Sequence, residues 1–234
     1  FTSDNAPFWA FHLLEDDLSD LPGCFPQGGK FGFIDKTGRF VIDAKFFVAQ
    51  DFSEGLAAVE ETVDSKYGYI DRTGRMVIEP RFNQAMGFSE GLAAVETSAR
   101  IVGDRVVDIA WGFIDKGGVL KIPDKYDSIP GGFSEGLAPV TIRPSGNMGY
   151  IDHDGKLAIP AQFTVAWGFS DGLAATCSAG RCAYIDRAGK VILKDLFAKW
   201  SFIDGLAVIS TRDRRVYIDK RGRVIAAYSD VAMD

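Results

Sequence analysis

The sequence predicts an all-β chain built of tandem three-stranded antiparallel meanders, stacked as a β superhelical repeat array. Three observations carry this. A tetrad ending in Ile-Asp occurs six times, at Gly32–Asp35, Gly68–Asp71, Gly112–Asp115, Gly149–Asp152, Ala183–Asp186 and Val216–Asp219. A second phrase, FSEGLA, begins at Phe52, Phe88 and Phe133, then continues as FSDGLA at Phe169 and FIDGLA at Phe202. The six aspartates are 36, 44, 37, 34 and 33 residues apart, a period typical of repeat architectures.

Each column has a physical reading. The step Asp-x-x-Gly, from Asp35 to Gly38 and onward to Asp219–Gly222, is hairpin chemistry. Asp caps backbone donors through its side chain, and Gly accepts a positive φ. Short alternating stretches flank it, such as Tyr69-Ile70 before and Met76-Val77-Ile78 after. Alternation with β-branched and aromatic residues favours strands. In FSEGLA the Phe reads as a core plug, Ser-Glu-Gly as a turn and Leu-Ala-x-Val as the next strand. Segments of about a dozen residues join the units. They carry one aromatic each: Phe46, Phe82, Tyr126, Phe163 and Phe197. A lone three-stranded unit buries too little apolar surface to stand alone, so these aromatics are expected to cement neighbouring units.

These phrases resemble the WG-repeat (KWG-repeat) family of bacterial β-repeat proteins, over about residues 30–227. The match lies in aromatic-Gly-Tyr-Ile-Asp-x-x-Gly followed by Pro-x-aromatic and Phe-Ser-Glu-Gly-Leu-Ala. The signature Trp stands in place once, at Trp111-Gly112; its position elsewhere holds Phe31, Tyr67, Met148, Cys182 and Arg215. The Gly becomes Ala183 and Val216 in the last two copies, as atypical terminal repeats do. The resemblance implies an architecture and no catalytic residue. An open twisted array is expected; a closed propeller-like ring is the alternative, with Phe8–Leu14 (FWAFHLL) completing the first unit.

The chain has 234 residues, 47% of them hydrophobic, and forms one array rather than two domains. Residues 1–29 read as an N-terminal cap or first strand plus an irregular loop, 30–227 as the array and 228–234 as a tail. The net charge, 26 − 32 = −6, argues against nucleic acid as the main partner. No apolar run approaches about 18 residues, so no membrane-spanning helix is expected. The chain begins at Phe1 rather than Met and reads as a processed or trimmed piece.

Cys177 and Cys182 flank Ser178-Ala179-Gly180-Arg181. The spacing allows a cross-strand disulfide, which would point to a periplasmic or secreted protein. A pair of half-buried thiols in a cytoplasmic chain is the alternative.

The third unit carries an insertion, Thr97–Ala110, with Gly103-Asp104 at an expected hairpin tip. Insertions in repeat arrays map to loops, where function concentrates. Arg100, Asp104 and Arg105 are therefore candidate binding residues. Trp111, Trp167 and Trp200 join them, because exposed aromatics at repeat junctions suit sugar or protein contacts; the plainer reading is packing between units.

Two charge columns recur. Lys36, Arg72, Lys116, His153, Arg187 and Lys220 follow the turn aspartates, and Glu54, Glu90, Glu135, Asp171 and Asp204 occupy the second phrase. They either pair between units or form separate basic and acidic rows, the basic one suited to an anionic partner. His12 and His153 make no metal-ligand spacing, and no nucleophile elbow or phosphate loop occurs. No catalytic residue, metal or cofactor is expected. The favoured function is a non-enzymatic scaffold binding a protein partner, including a toxin-neutralising or envelope-associated role. A carbohydrate- or cell-wall-binding module is the alternative.

Overall fold

The computed structural model describes residues 23–27, 29–63, 65–102, 105–129, 131–196, 201–210 and 214–229. Side chains of 23–27, 100–102, 105–108, 195–196, 210, 214 and 228–229 lie outside that description. Phe8–Leu14 falls outside it altogether.

The described residues form six small antiparallel sheets in chain order. The first holds β1 (Gly23–Gln27), β2 (Lys30–Ile34) and β3 (Phe40–Phe46). The second holds β4 (Val48–Ala49), β5 (Leu56–Glu60), β6 (Tyr67–Asp71) and β7 (Met76–Phe82). The third holds β8 (Gln84–Ala85), β9 (Ala93–Val102), β10 (Arg105–Ile114) and β11 (Leu120–Tyr126). The fourth is β12 (Ala138–Ile142), β13 (Asn147–Ile151) and β14 (Leu157–Phe163). The fifth is β15 (Val165–Ala166), β16 (Leu173–Ser178), β17 (Arg181–Asp186) and β18 (Val191–Leu196). The sixth is β19 (Leu206–Ser210), β20 (Arg214–Asp219) and β21 (Val224–Ser229).

The expected meander is present, with two additions. Three sheets gain a two-residue strand, β4, β8 or β15, from the segment that enters them. The first sheet is completed by β1, in the stretch read as irregular. Its Pro26 is tolerated because β1 lies at a sheet edge.

The core lies between sheets. Residues of β5 and β6 alternate strictly. Leu56, Ala58, Tyr67 and Tyr69 pack forward against the third sheet, while Ala57, Val59 and Ile70 pack back against the first. Burial on both faces explains the unbroken apolar run LAAV and its alanines. Five such seams join the six sheets. The linker aromatics Phe46, Phe82, Tyr126 and Phe163 end the outer strands inside these seams. Phe52, Phe88, Phe133, Phe169 and Phe202 plug them from the following unit, each ring 4.7–5.1 Å from the Phe or Tyr of the preceding tetrad.

The glycine of the Trp-Gly position has a steric cause. In the second sheet Tyr67 pairs with Phe82 and Tyr69 with Ile78, so the outer strand inserts two extra residues opposite Gly68. A Cβ on Gly68 would lie 2.6 Å from the Ile78 carbonyl oxygen, and Gly32, Gly112 and Gly149 are equally enclosed by backbone. Where Ala183 stands instead, the outer strand inserts one extra residue, between Leu196 and Leu193. Where Val216 stands it inserts none, because Arg215 pairs with Tyr228 and Tyr217 with Ala226. A side chain here and the full two-residue bulge exclude each other.

Candidate functional site

The recurrent turns supply the chemistry-bearing groups. At the first, all six aspartates accept two backbone N–H bonds through Oδ1; Asp71 takes those of Thr73 (2.9 Å) and Arg75 (3.2 Å). The Thr73 hydroxyl also donates to Asp71 at 2.5 Å. These bonds outweigh the desolvation opposing them and hold the Asp71 carboxyl at about 2. Asp35 is lowered chiefly by the Thr37 hydroxyl, and Asp219 chiefly by the Arg223 N–H.

The second turn is a two-residue hairpin. Ser53 and Leu56 exchange backbone bonds of 2.9 and 3.1 Å. Glu54 and Gly55 both have positive φ, 51° and 89°, the type I′ geometry matched to strand twist. Glu90, Glu135, Asp171 and Asp204 repeat that conformation, which is rare for a side chain such as glutamate.

Its placement shows the gain. The Glu54 carboxylate accepts the N–H of Gly91, in the next unit's turn, at 3.1–3.2 Å. Glu90 takes Gly136, Glu135 takes Gly172, and Asp171 takes Gly205 at 2.6 Å. Beside each, a serine hydroxyl donates to the carbonyl of the next unit's plug Phe: Ser53 to Phe88, Ser89 to Phe133, Ser134 to Phe169 and Ser170 to Phe202.

The basic column closes the ladder. Lys116 Nζ lies 3.0 Å from Glu54, His153 Nε2 3.2 Å from Glu90, and Lys220 Nζ 3.8 Å from Asp171. The His153 ring also stacks on Phe133, centroids 4.2 Å apart. Arg187 instead donates to the Glu135 backbone carbonyl at 3.4 Å. Burial pushes the Glu54 carboxyl up, but Lys116 and the Gly91 N–H outweigh it and leave the group below its ordinary value. The reading of separate acidic and basic rows is thus overturned. Both columns share one rim and pair between units, because consecutive turns stack at that rim.

Trp111 and Trp167 are half-buried and pack against the seams after the third and fifth sheets. The side chains of Arg100 and Arg105, and residues Asp104 and Trp200, lie outside the described set. The inserted hairpin itself forms: β9 and β10 stay paired from Ala93–Ile114 to Val102–Arg105. At its base the Thr97 hydroxyl donates to Asp124 at 2.5 Å. Arg143, from the hairpin of the fourth sheet, donates to the Ile109 carbonyl and to Asp127. That cross-brace was not visible in the sequence, since nothing in the repeat marks Arg143. Cys177 and Cys182 face each other across β16 and β17 and are joined as a disulfide. Among the described residues no cluster of potential metal ligands occurs, and no helix is long and apolar enough to cross a membrane.

Among solved structures, a eukaryotic initiation factor is similar at TM-score 0.54 and 10% identity, over 87% of this chain and 72% of that one. Apo AztD from Citrobacter koseri is similar at TM-score 0.48 and 12% identity, over 89% and 71%. A streptogramin B lyase is similar at 0.46 and 16%, over 92% and 84%. The first likeness is one of fold alone, a propeller-like succession of small antiparallel sheets. No curated protein matches the chain. The model of the WG containing repeat matches residues 31–62, 67–98, 111–143 and 148–182. These copies make up more than half of the chain and include every one that keeps its glycine, and the chain belongs to that family.

Proposed function

We propose that the chain is a non-enzymatic scaffold that binds a protein partner through the β9–β10 hairpin. The single observation that carries this reading is the hairpin's departure from the repeat. Its strands are ten residues each, against five for β5 and β6, and its base is braced by Thr97, Asp124 and Arg143. A braced projection on a rigid array is how repeat proteins present a contact surface. The charged rim, by contrast, is engaged in joining the units. The half-burial of Trp111 and Trp167 weighs against the glycan reading, which needs open indole faces. The Cys177–Cys182 bridge supports an oxidising compartment, periplasmic or extracellular.

The test is affinity capture from envelope and lysate fractions with the full chain and with a version whose residues 99–108 are replaced by Asn-Gly. A stoichiometric protein captured by the first and lost by the second is expected. Capture indifferent to the replacement, or retention on polysaccharide instead, overturns the reading.

A further inference from the structure

One place recurs at every joint between sheets: the residue where the repeat carries its Trp. Phe31, Tyr67, Trp111, Met148 and Cys182 each pack into the seam that follows their own sheet. The first four are large, and each stands opposite a second large side chain on the outer strand, in the pairs Phe31–Phe46, Tyr67–Phe82, Trp111–Tyr126 and Met148–Phe163. The fifth sheet pairs Cys182 with Leu196 instead. A single cysteine side chain there would leave the seam short of contacts. Its sulfur, however, is joined to that of Cys177, the residue opposite it on β16. A cystine thus takes the place that an indole takes in the third unit.

The bond is not needed to hold its own hairpin. β16 and β17 pair from Leu173–Asp186 to Ser178–Arg181, and a two-residue turn with positive φ at Ala179 and Gly180 joins them. A bond between residues only five apart constrains the unfolded chain less than a long-range one. Its larger effect is on the seam. At the rim, the sixth sheet is held by Ser170 through the Phe202 carbonyl and by Asp171 through Gly205 and Lys220. The Ser178–Arg181 turn lies at the opposite end of β16 and β17. There Cys182 packs against the cluster that holds Phe202, Ile209, Val216 and Ile218. Both cysteines are half-buried, so a reagent in solvent reaches a sulfur without unfolding the sheet.

We propose that Cys177–Cys182 is a site of reversible thiol–disulfide exchange whose state sets how firmly the sixth sheet is held. The co-reactant is a dithiol. One of its thiolates attacks a sulfur of the cystine and expels the other as a thiolate. The second thiol of the reagent then resolves the mixed disulfide. The reagent leaves as a disulfide, and the two cysteines become thiols, having gained two electrons and two protons. The freed sulfurs separate to nonbonded contact, and the one bulky group at this end of the seam is lost. The rim bonds remain, so the sixth sheet loosens from the Cys182 end. This site is independent of the partner proposed for the β9–β10 hairpin, which belongs to the third sheet.

Hydrogen exchange of the 234-residue chain, read by mass spectrometry, tests this, with Cys24→Ser throughout so that this pair alone reacts. Dithiothreitol is the probe. Without denaturant it is expected to reduce the bond, seen as two alkylated cysteines. Amide exchange in β19 and β20 is expected to quicken by about tenfold, with β5 and β6 unchanged. Cys177→Ser with Cys182→Ser is expected to exchange like the reduced chain. Cys177→Glu with Cys182→Trp rebuilds the Glu96–Trp111 pair of the third unit without sulfur, and its protection is expected to be indifferent to dithiothreitol. A bond that resists dithiothreitol until the chain is unfolded overturns the proposal. So does a reduced chain, or a doubly serine-substituted one, that exchanges like the oxidised chain. So does a response to dithiothreitol that persists when Glu and Trp replace the pair.

Discussion

Glu90 sits at φ 53° in its own turn, and its carboxylate holds the N–H of Gly136 at 3.1 Å in the next. A local conformation disfavoured for glutamate is offset by a bond that only the neighbouring unit supplies. Glu90→Gln keeps an acceptor and loses the His153 pair, so it is expected to cost under about 1 kcal/mol. Glu90→Ala loses the acceptor too and is expected to cost about 1–2 kcal/mol. Urea unfolding of the two variants checks the difference; equal losses would mean that the Gly136 bond contributes nothing.

Gly68→Ala forces a methyl group to 2.6 Å from the Ile78 carbonyl oxygen, against backbone that cannot give way cheaply. The expected loss is about 2–3 kcal/mol. Gly at position 183 or 216 meets a strand with little or no bulge, so Ala183→Gly and Val216→Gly are expected to act through chain entropy and lost side-chain contacts alone. Thermal unfolding that fails to place Gly68→Ala below Ala183→Gly contradicts the steric account.

Two tyrosines in related places should respond oppositely to loss of the hydroxyl. Tyr69 donates to the Met86 carbonyl at 2.7 Å, and Tyr69→Phe is expected to cost about 1 kcal/mol. The buried Tyr126 hydroxyl has no partner among the described residues, and burial pushes its phenol up. Phe46, Phe82 and Phe163 fill the same place in other units. Tyr126→Phe is expected to be neutral or stabilising by up to about 1 kcal/mol, read from the midpoint of chemical denaturation.

Asp71 is held at about 2, below its ordinary 3.8, and Asp35 and Asp219 are also lowered. Groups depressed in the folded state stabilise it fully above the ordinary value. That contribution is lost as pH falls through the folded one. Stability should therefore decline from about pH 5 toward pH 2, and Asp71→Asn should flatten the slope. A slope unchanged in the variant removes Asp71 from the acid response.

The sequence displayed much of this architecture because a turn needs particular residues at particular places. Asp-x-x-Gly marks every outer hairpin, and the LAAV run marks the strand buried on both faces. The two-residue strands such as Val48–Ala49 carry no period and escaped notice. Strand β1 was hidden by Pro26 and Gly23, which read as loop. Its register with β2 places Gly23 where Ala57 stands in the second unit. Leu18-Ser19-Asp20 then aligns in sequence with Phe52-Ser53-Glu54, a sixth copy of the acidic phrase. The rungs were half legible. Both charge columns could be read, but their pairing depends on which turns stack, and that is fixed by the seams. The Arg143 brace belongs to no column and had no signal.

The ladder also bears on how such a chain can change its length. The second to fifth units present the same acid and hydroxyl forward, and the third to sixth receive them on the same glycine and carbonyl. Excising one whole period, from one plug phenylalanine to the next, leaves two cut surfaces that still recognise each other. Excising half a period leaves a left-handed acidic turn with nothing to hold. Duplication and loss are therefore tolerated in whole units only, which makes the number of sheets, rather than their internal design, the variable free to drift.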